Sequence, residues 1–121
     1  MENTVVLKVG GSSLGEDGID AEKVKQICAV IKELKKDVAL GVVVGAGRFA
    51  GGYITAAREL GVNEFQLDCL AIDVSRLNAK LIARGTGFNE LIPTSVETAA
   101  RIMESKGFVV MGGTSPGPPC R

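Results

Sequence analysis

VVLKVGGSS at residues 5–13 and VVVGAGR at residues 42–48 decide how this chain is read. Each is a short run of mostly β-branched residues, the preferred content of a strand, ending in a glycine turn: Gly10, Gly11 and Ser12 in the first, Gly45, Ala46 and Gly47 in the second. A turn without Cβ atoms lets backbone N–H groups come close to an anion, and a helix that starts just behind it adds the positive end of its dipole. One such turn is weak evidence. Two of them, carried by neighbouring parallel strands, lie side by side at the carboxyl edge of one sheet, which is where open α/β folds hold their ligands. That arrangement suits a ligand with several phosphates, or two phosphate ligands that meet.

Working outward, 121 residues make one small domain, and 45% apolar with 23% charged residues are ordinary globular values that exclude disorder and fibrous repeats. The 14 basic and 14 acidic residues cancel, so no general field gathers nucleic acid or an anionic membrane, and any anion site must be local. Lys8 and the glycines interrupt the first apolar run, which leaves neither a signal peptide nor a spanning helix and gives a cytoplasmic expectation. Cys28, Cys69 and Cys120 are odd in number and far apart, without the paired spacing of a zinc site or a disulfide framework, and read as buried or incidental thiols. Histidine is absent, which removes serine–histidine triads, histidine acid–base catalysis and most zinc hydrolase sites. Chemistry that needs mainly positioning and positive charge remains.

Apolar spacing alternates between the periods of strand and helix. It predicts a strand over 4–9, a helix over 21–36 capped by Asp20, a strand over 38–44 and a helix over 48–60 stopped by Gly61. Leu67, Leu70, Ala71, Val74, Leu77 and Leu81 recur at helical spacing and predict a long helix over 63–83, whose two ends could be separate segments. A strand over 88–92, a helix to Lys106 behind a capping box of Thr94 with Glu97, and a strand over 108–111 complete the order βαβααβαβ. Crossovers of this length imply parallel strands, hence an α/β fold with a mainly parallel sheet. Gly112, Gly113 and Thr114 form a third glycine turn at the end of the last strand.

Several motifs admit two readings. Gly45, Gly47 and Ala50 match the dinucleotide fingerprint G-x-G-x-x-A, but the acidic residue wanted at the end of the next strand has as candidates only Glu64 and Asp68, both on a predicted helix. The same glycines could serve tight turns alone. Lys8 in an apolar strand is either an edge or snorkelling lysine or a charge that holds transferring phosphoryl oxygens. Arg48, one residue beyond the second turn, could act likewise or be a solvated first-turn side chain. Asp73, Arg76 and Lys80 read as a wet helix face.

On these residues the chain resembles the amino acid kinase superfamily, and within it the archaeal type of uridylate (UMP) kinase. Residues 8–12 (KVGGS) are similar to the family's first phosphate loop and residues 43–47 (VVGAG) to its second. The stretch 53–80, with 57–61 (ARELG), Leu67, Asp68 and 75–78 (SRLN), is similar to the archaeal enzymes, as is 111–117 (MGGTSPG) to their substrate loop. The resemblance spans 4–117. It implies a three-layer α/β/α sandwich, amino acid kinase-like and Rossmann-like, that transfers the γ-phosphoryl group of ATP to UMP with Mg2+ and assembles as a homo-oligomer, a hexamer built on dimers. It implies that Lys8 is a catalytic charge clamp; that Gly10, Gly11, Ser12, Gly45, Gly47 and Arg48 meet ATP or its phosphates; and that Ala46, Asp68, Gly113, Thr114, Ser115, Pro116 and Gly117 line the UMP site. The nucleophile is already a phosphate oxygen, so no strong base is needed, in keeping with the missing histidine.

Two departures stand out. The resemblance puts an arginine for the UMP phosphate where this chain has Gly51, a loss of roughly 1.5–3 kcal/mol of binding. After Gly117 the archaeal pattern continues into a second half with most of the adenine site, whereas this chain has Pro118, Pro119, Cys120 and Arg121. Residues 1–117 thus read as the amino-terminal lobe and 118–121 as a divergent tail, a truncated chain with weak or no activity alone. Rival readings are another small-phosphate kinase of the superfamily, such as one for isopentenyl phosphate, and a noncatalytic nucleotide-binding or assembly module.

Overall fold

Three β-branched runs become three parallel strands in the computed structural model, which describes residues 3–114. β1 (Thr4–Val9), β2 (Ala39–Val44) and β3 (Phe108–Met111) lie in the order β1-β2-β3, with Val9 opposite Val44 and Val43 opposite Met111. Because the strands run parallel and nearly in register, all three glycine turns leave the sheet along one edge. β2, paired on both sides, is buried along its length apart from a half-buried Val43, as a central strand in a covered sheet must be.

Four helices cover this sheet: α1 (Ala21–Leu34), α2 (Phe49–Glu59), α3 (Glu64–Thr86) and α4 (Val96–Lys106). α1 and α3 pack on each other, and α3 lies on β2 and β3. α4 takes the opposite face, where its Met103 approaches Gly41 of β2. This is the expected three-layer α/β/α arrangement. Leu40, Val42, Ile31 and Ile82 meet in its centre with no exposure, and burying each contributes about 1.5–3 kcal/mol at most. The layer over β1 is thinner: Val6 is 70% exposed and Lys8 shares its sheet face.

Caps explain most helix ends. The Asp20 carboxylate accepts from the N–H groups of Glu22 and Lys23, and the Asn63 side chain from that of Gln66. The expected helices over 21–36 and 48–60 are a little shorter, and the 63–83 segment is a single unbroken helix that runs on to Thr86.

Four expectations are corrected. No strand forms over 88–92. The left-handed Gly87 ends α3, the N–H of Phe88 turns back to the Ala83 carbonyl, and Arg84 Nη1 donates to the Phe88 carbonyl at 2.6 Å. Phe88 is then buried edge-on against Phe108, with ring centroids 5.9 Å apart. Its backbone groups are used by the helix end and have nothing left for a ladder, so the order is βαβαααβ. Second, α4 is capped by Ser95, whose Oγ accepts from Thr98 N at 3.2 Å, one residue later than Thr94 with Glu97. Third, α3 keeps the expected inward stripe only over its first half, where Leu67 is buried and Leu70, Ala71 and Val74 are half-buried. Leu77 and Leu81 are exposed, while Ser75, Asn78, Ala79 and Ile82 face inward, and at Ser75 the Gly112 backbone comes too close to leave room for a leucine side chain. Fourth, Cys28 is a free buried thiol as expected, whereas Cys69 is disulfide-bonded.

Candidate functional site

The first two glycine turns touch backbone to backbone. A methyl carbon on Gly11 would overlap the carbonyl carbon of Ala46 and the nitrogen of Gly47, and one on Gly47, at φ 62°, would meet the carbonyl carbon of Gly11 and the nitrogen of Ser12 at 2.5 Å. Only glycine allows this approach. A hydrogen bond of 2.9 Å from Gly45 N–H to the Val9 carbonyl extends the β1–β2 ladder into the turns. Gly10, Gly11 and Ser12 are therefore adjacent to Gly45, Ala46 and Gly47, as the sequence suggested.

Beyond that contact the two turns are built differently. The first winds into a single 3-10 turn, Gly11–Leu14, anchored by the fully buried Leu14 and closed by Asp20 N–H donating to the Leu14 carbonyl at 2.7 Å. No α-helix starts directly behind it, since α1 begins at Ala21. The second leads straight into α2, whose first turn holds no acidic residue and whose N-cap position, Arg48, makes no side-chain cap bond. Its leading N–H groups and positive dipole end therefore face the turn without a competing anion.

α3 backs the second and third turns. Asn78, buried, donates through Nδ2 to the carbonyls of Gly45 at 3.0 Å and Ala46 at 3.3 Å. One turn earlier Ser75 Oγ accepts from Gly113 N–H at 2.7 Å and donates to the Ile72 carbonyl at 2.6 Å, while Arg76 Nε donates to the Gly113 carbonyl at 3.0 Å. Gly112 sits so close to α3 that a Cβ would come within 2.8 Å of Arg76 N. Arg76 Nη2 is buried and has no hydrogen-bond partner among the described residues. The wet-face reading of Arg76 is thus corrected. Asn78 and Ser75 were missed as site-forming residues. Their signal was available, since both fall on the helical stripe of Ala71 and Ile82, where a polar side chain has to find a partner.

The remaining candidates are more scattered. Asp68 is exposed on α3, in line with Ile72 and Ser75, the residues that meet Gly113. Thr114 is half-buried at the end of the third turn. Arg48 is exposed at the start of α2, and Lys8 is exposed on β1. Neither has an ion pair among the described residues. Ser115, Pro116 and Gly117 lie outside the described residues. Among the described residues no three histidine, cysteine, aspartate or glutamate side chains gather to hold a metal, so they do not form a cage for magnesium. No helix there is long and apolar enough to cross a membrane.

A parallel sheet whose glycine turns meet at its carboxyl edge defines an α/β protein with an anion-suited rim. More particularly, residues 3–110 match the model of the amino acid kinase family, and the chain belongs to that family. It is 39% identical to a uridylate kinase of Thermoplasma volcanium and 42% identical to one of Thermoplasma acidophilum, in each case over 97% of this chain and 52% and 51% of the relative. Among solved structures, the uridylate kinase of Archaeoglobus fulgidus superimposes with a TM-score of 0.83 at 34% identity, over 95% of this chain and 52% of that one. The chain spans about half the length of the curated relatives it matches.

Proposed function

We propose that this chain is the amino-terminal, phosphate-loop part of a uridylate kinase that passes the γ-phosphoryl group of ATP to UMP. A phosphate oxygen of UMP bonds to the γ-phosphorus, and the bond to ADP breaks with its electron pair leaving on ADP, giving UDP. The observation that supports this most is the backbone contact between Gly11 and the Ala46–Gly47 peptide, too close to admit a Cβ, which leaves two donor-rich turns side by side where donor and acceptor phosphates have to meet. Gly10, Gly11, Ser12, Gly45, Gly47 and Arg48 would receive the ATP phosphates, and Ala46, Asp68 and residues 113–117 the UMP, with Ala46 and Gly47 standing where the two nucleotides meet and their N–H groups within reach of both. Lys8 would add positive charge near the transferred group. Magnesium would arrive on the ATP phosphates, as is usual for this ion. A homo-oligomer is part of the proposal, supported by exposed apolar residues on α2 and α3: Tyr53, Leu60 and Leu77. So is a cytoplasmic location.

A ligand that binds only the folded state at 100 times its Kd stabilises by about 2.7 kcal/mol, so UMP and ATP should each raise the melting temperature of the chain. No rise with either nucleotide, together with no UDP in a coupled assay with ATP, magnesium and UMP, would refute the reading. The assay run on the chain alone also tests the expectation of weak turnover, which ordinary rates would overturn. Gly51 is exposed and nothing lies within 4 Å of where its Cβ would stand, so an arginine fits there. Gly51→Arg should tighten UMP binding by about one to two decades, measured by calorimetry.

A further inference from the structure

α3 holds two separate turns with three consecutive-turn side chains, and the geometry bears on which way their peptide units face. In a trans peptide the C=O and the following N–H point in opposite directions. There are no cis peptides among the described residues. Asn78 draws the carbonyls of Gly45 and Ala46 toward α3, so the N–H groups of Ala46 and Gly47 face away from it. Arg76 does the same to the Gly113 carbonyl, which turns the N–H of Thr114 outward. None of these three N–H groups donates a hydrogen bond within the described residues.

We infer that Asn78 is a positioning residue, which with Ser75 and Arg76 makes α3 a template that aims the N–H groups of Ala46, Gly47 and Thr114 at one phosphate-bearing ligand. This rests on the proposed function and deepens it, since it assigns acceptor binding to backbone donors set from behind by side chains that never touch the ligand. Asn78 is suited to this task because its amide nitrogen has two N–H bonds, enough for two carbonyls, and it is neutral. A lysine there would place a charge in a buried site, and a leucine would leave both carbonyls without donors. The second point of support is independent of Asn78: Ser75 and Arg76 fix both sides of Gly113 from the same helix. A helix is stiff over this distance, so α3, together with the β2–β3 ladder, sets the relation between the second and third turns rather than either loop alone.

The test uses backbone amide spectra of the full chain, titrated with UMP and separately with ATP and magnesium. In the unaltered protein UMP should shift the amides of Ala46, Gly47 and Thr114. Asn78→Leu, or Asn78→Ala should the first not fold, should raise the UMP Kd about tenfold and abolish the bound-state shifts at Ala46 and Gly47 while that at Thr114 persists. Arg76→Met, which frees the Gly113 carbonyl, should do the converse, abolishing the shift at Thr114 and sparing Ala46 and Gly47. ATP shifts at Gly11 and Ser12 should survive in both variants. UMP binding unchanged by Asn78→Leu would overturn the inference and leave the proposed function standing. Equal loss at every amide in step with a lowered melting temperature would also overturn it, since a merely structural asparagine behaves that way. No response of the unaltered protein to either nucleotide would overturn the proposed function, and this inference with it.

Discussion

The first glycine turn and the second do similar local work but are held by opposite means. The first is self-contained: a 3-10 turn, a leucine plug and one backbone bond across its loop, all from residues 10–20. The second takes its support from Asn78, 32 and 33 residues away, and shares that helix with the third turn. The difference teaches that short-range sequence signals can place a glycine turn without revealing what sets its aim. Local turns keep their shape through their own backbone, whereas the relation between turns depends on a long element that crosses behind them.

Substitutions can break or sharpen this comparison. The largest effect is expected where the turns touch. Gly11→Ala drives a methyl into the Ala46–Gly47 backbone and should cost about 3 kcal/mol or more in urea unfolding, disturbing both turns at once. A cost below about 1 kcal/mol would mean that the two turns are not packed together. Ser75→Ala acts on the remotely held side only. It leaves the Gly113 N–H without its acceptor, and about 1–3 kcal/mol should be lost, with faster hydrogen exchange at Gly113 and none of that change at Gly11.

On the locally held side, Asp20→Ala removes the α1 cap at the exit of the first loop. About 1 kcal/mol is expected, with amide shifts confined to residues 14–24 and the second turn undisturbed. The smallest effect serves as a control away from both turns. Burial raises the pKa of the Cys28 thiol, partly opposed by Lys32. A raised folded-state value means that this contribution to stability is complete below the ordinary thiol pKa and is lost as pH climbs through the folded one. The urea midpoint should therefore fall more steeply with pH above the ordinary thiol range in the unaltered protein than in Cys28→Ala, and identical slopes would refute the assignment.

Legibility followed the range of the interactions. β1, β2, β3, the Asp20 cap and all three glycine turns were readable because each depends on a few neighbouring residues with special backbone needs. The 88–92 segment is the exception: Phe88 and Ile92 have strand-like content, and with the helix expected to end at residue 83 the short-range claim of Ala83, Arg84 and the Gly87 cap on Phe88's backbone groups was overlooked. α3 was recognised, with its inward face right over the first half, at Leu67, and wrong over the second. Its leucines mark an apolar stripe as strong as any core stripe, yet Leu77 is 67% exposed, and the inward face is set by loops that only glycine lets approach. Asn78 shows in the sequence as a polar residue on the stripe of Ala71 and Ile82 that must find a partner, but its partners are backbone carbonyls of a distant turn, which the side-chain pattern does not name.

The exposed stretch between Leu14 and Asp20 has a consequence for how such a protein can change. Glu16, Asp17 and Ile19 are exposed within a loop closed by a single backbone bond, so new side chains there would leave the plug and the cap in place, provided Gly18, at φ 148°, stays glycine. A variant library restricted to those three positions should retain mostly folded members, whereas one spread over residues 72–78 should not. The first loop therefore has an easy route to change, while the second and third turns must change through a helix where nearly every substitution is felt twice.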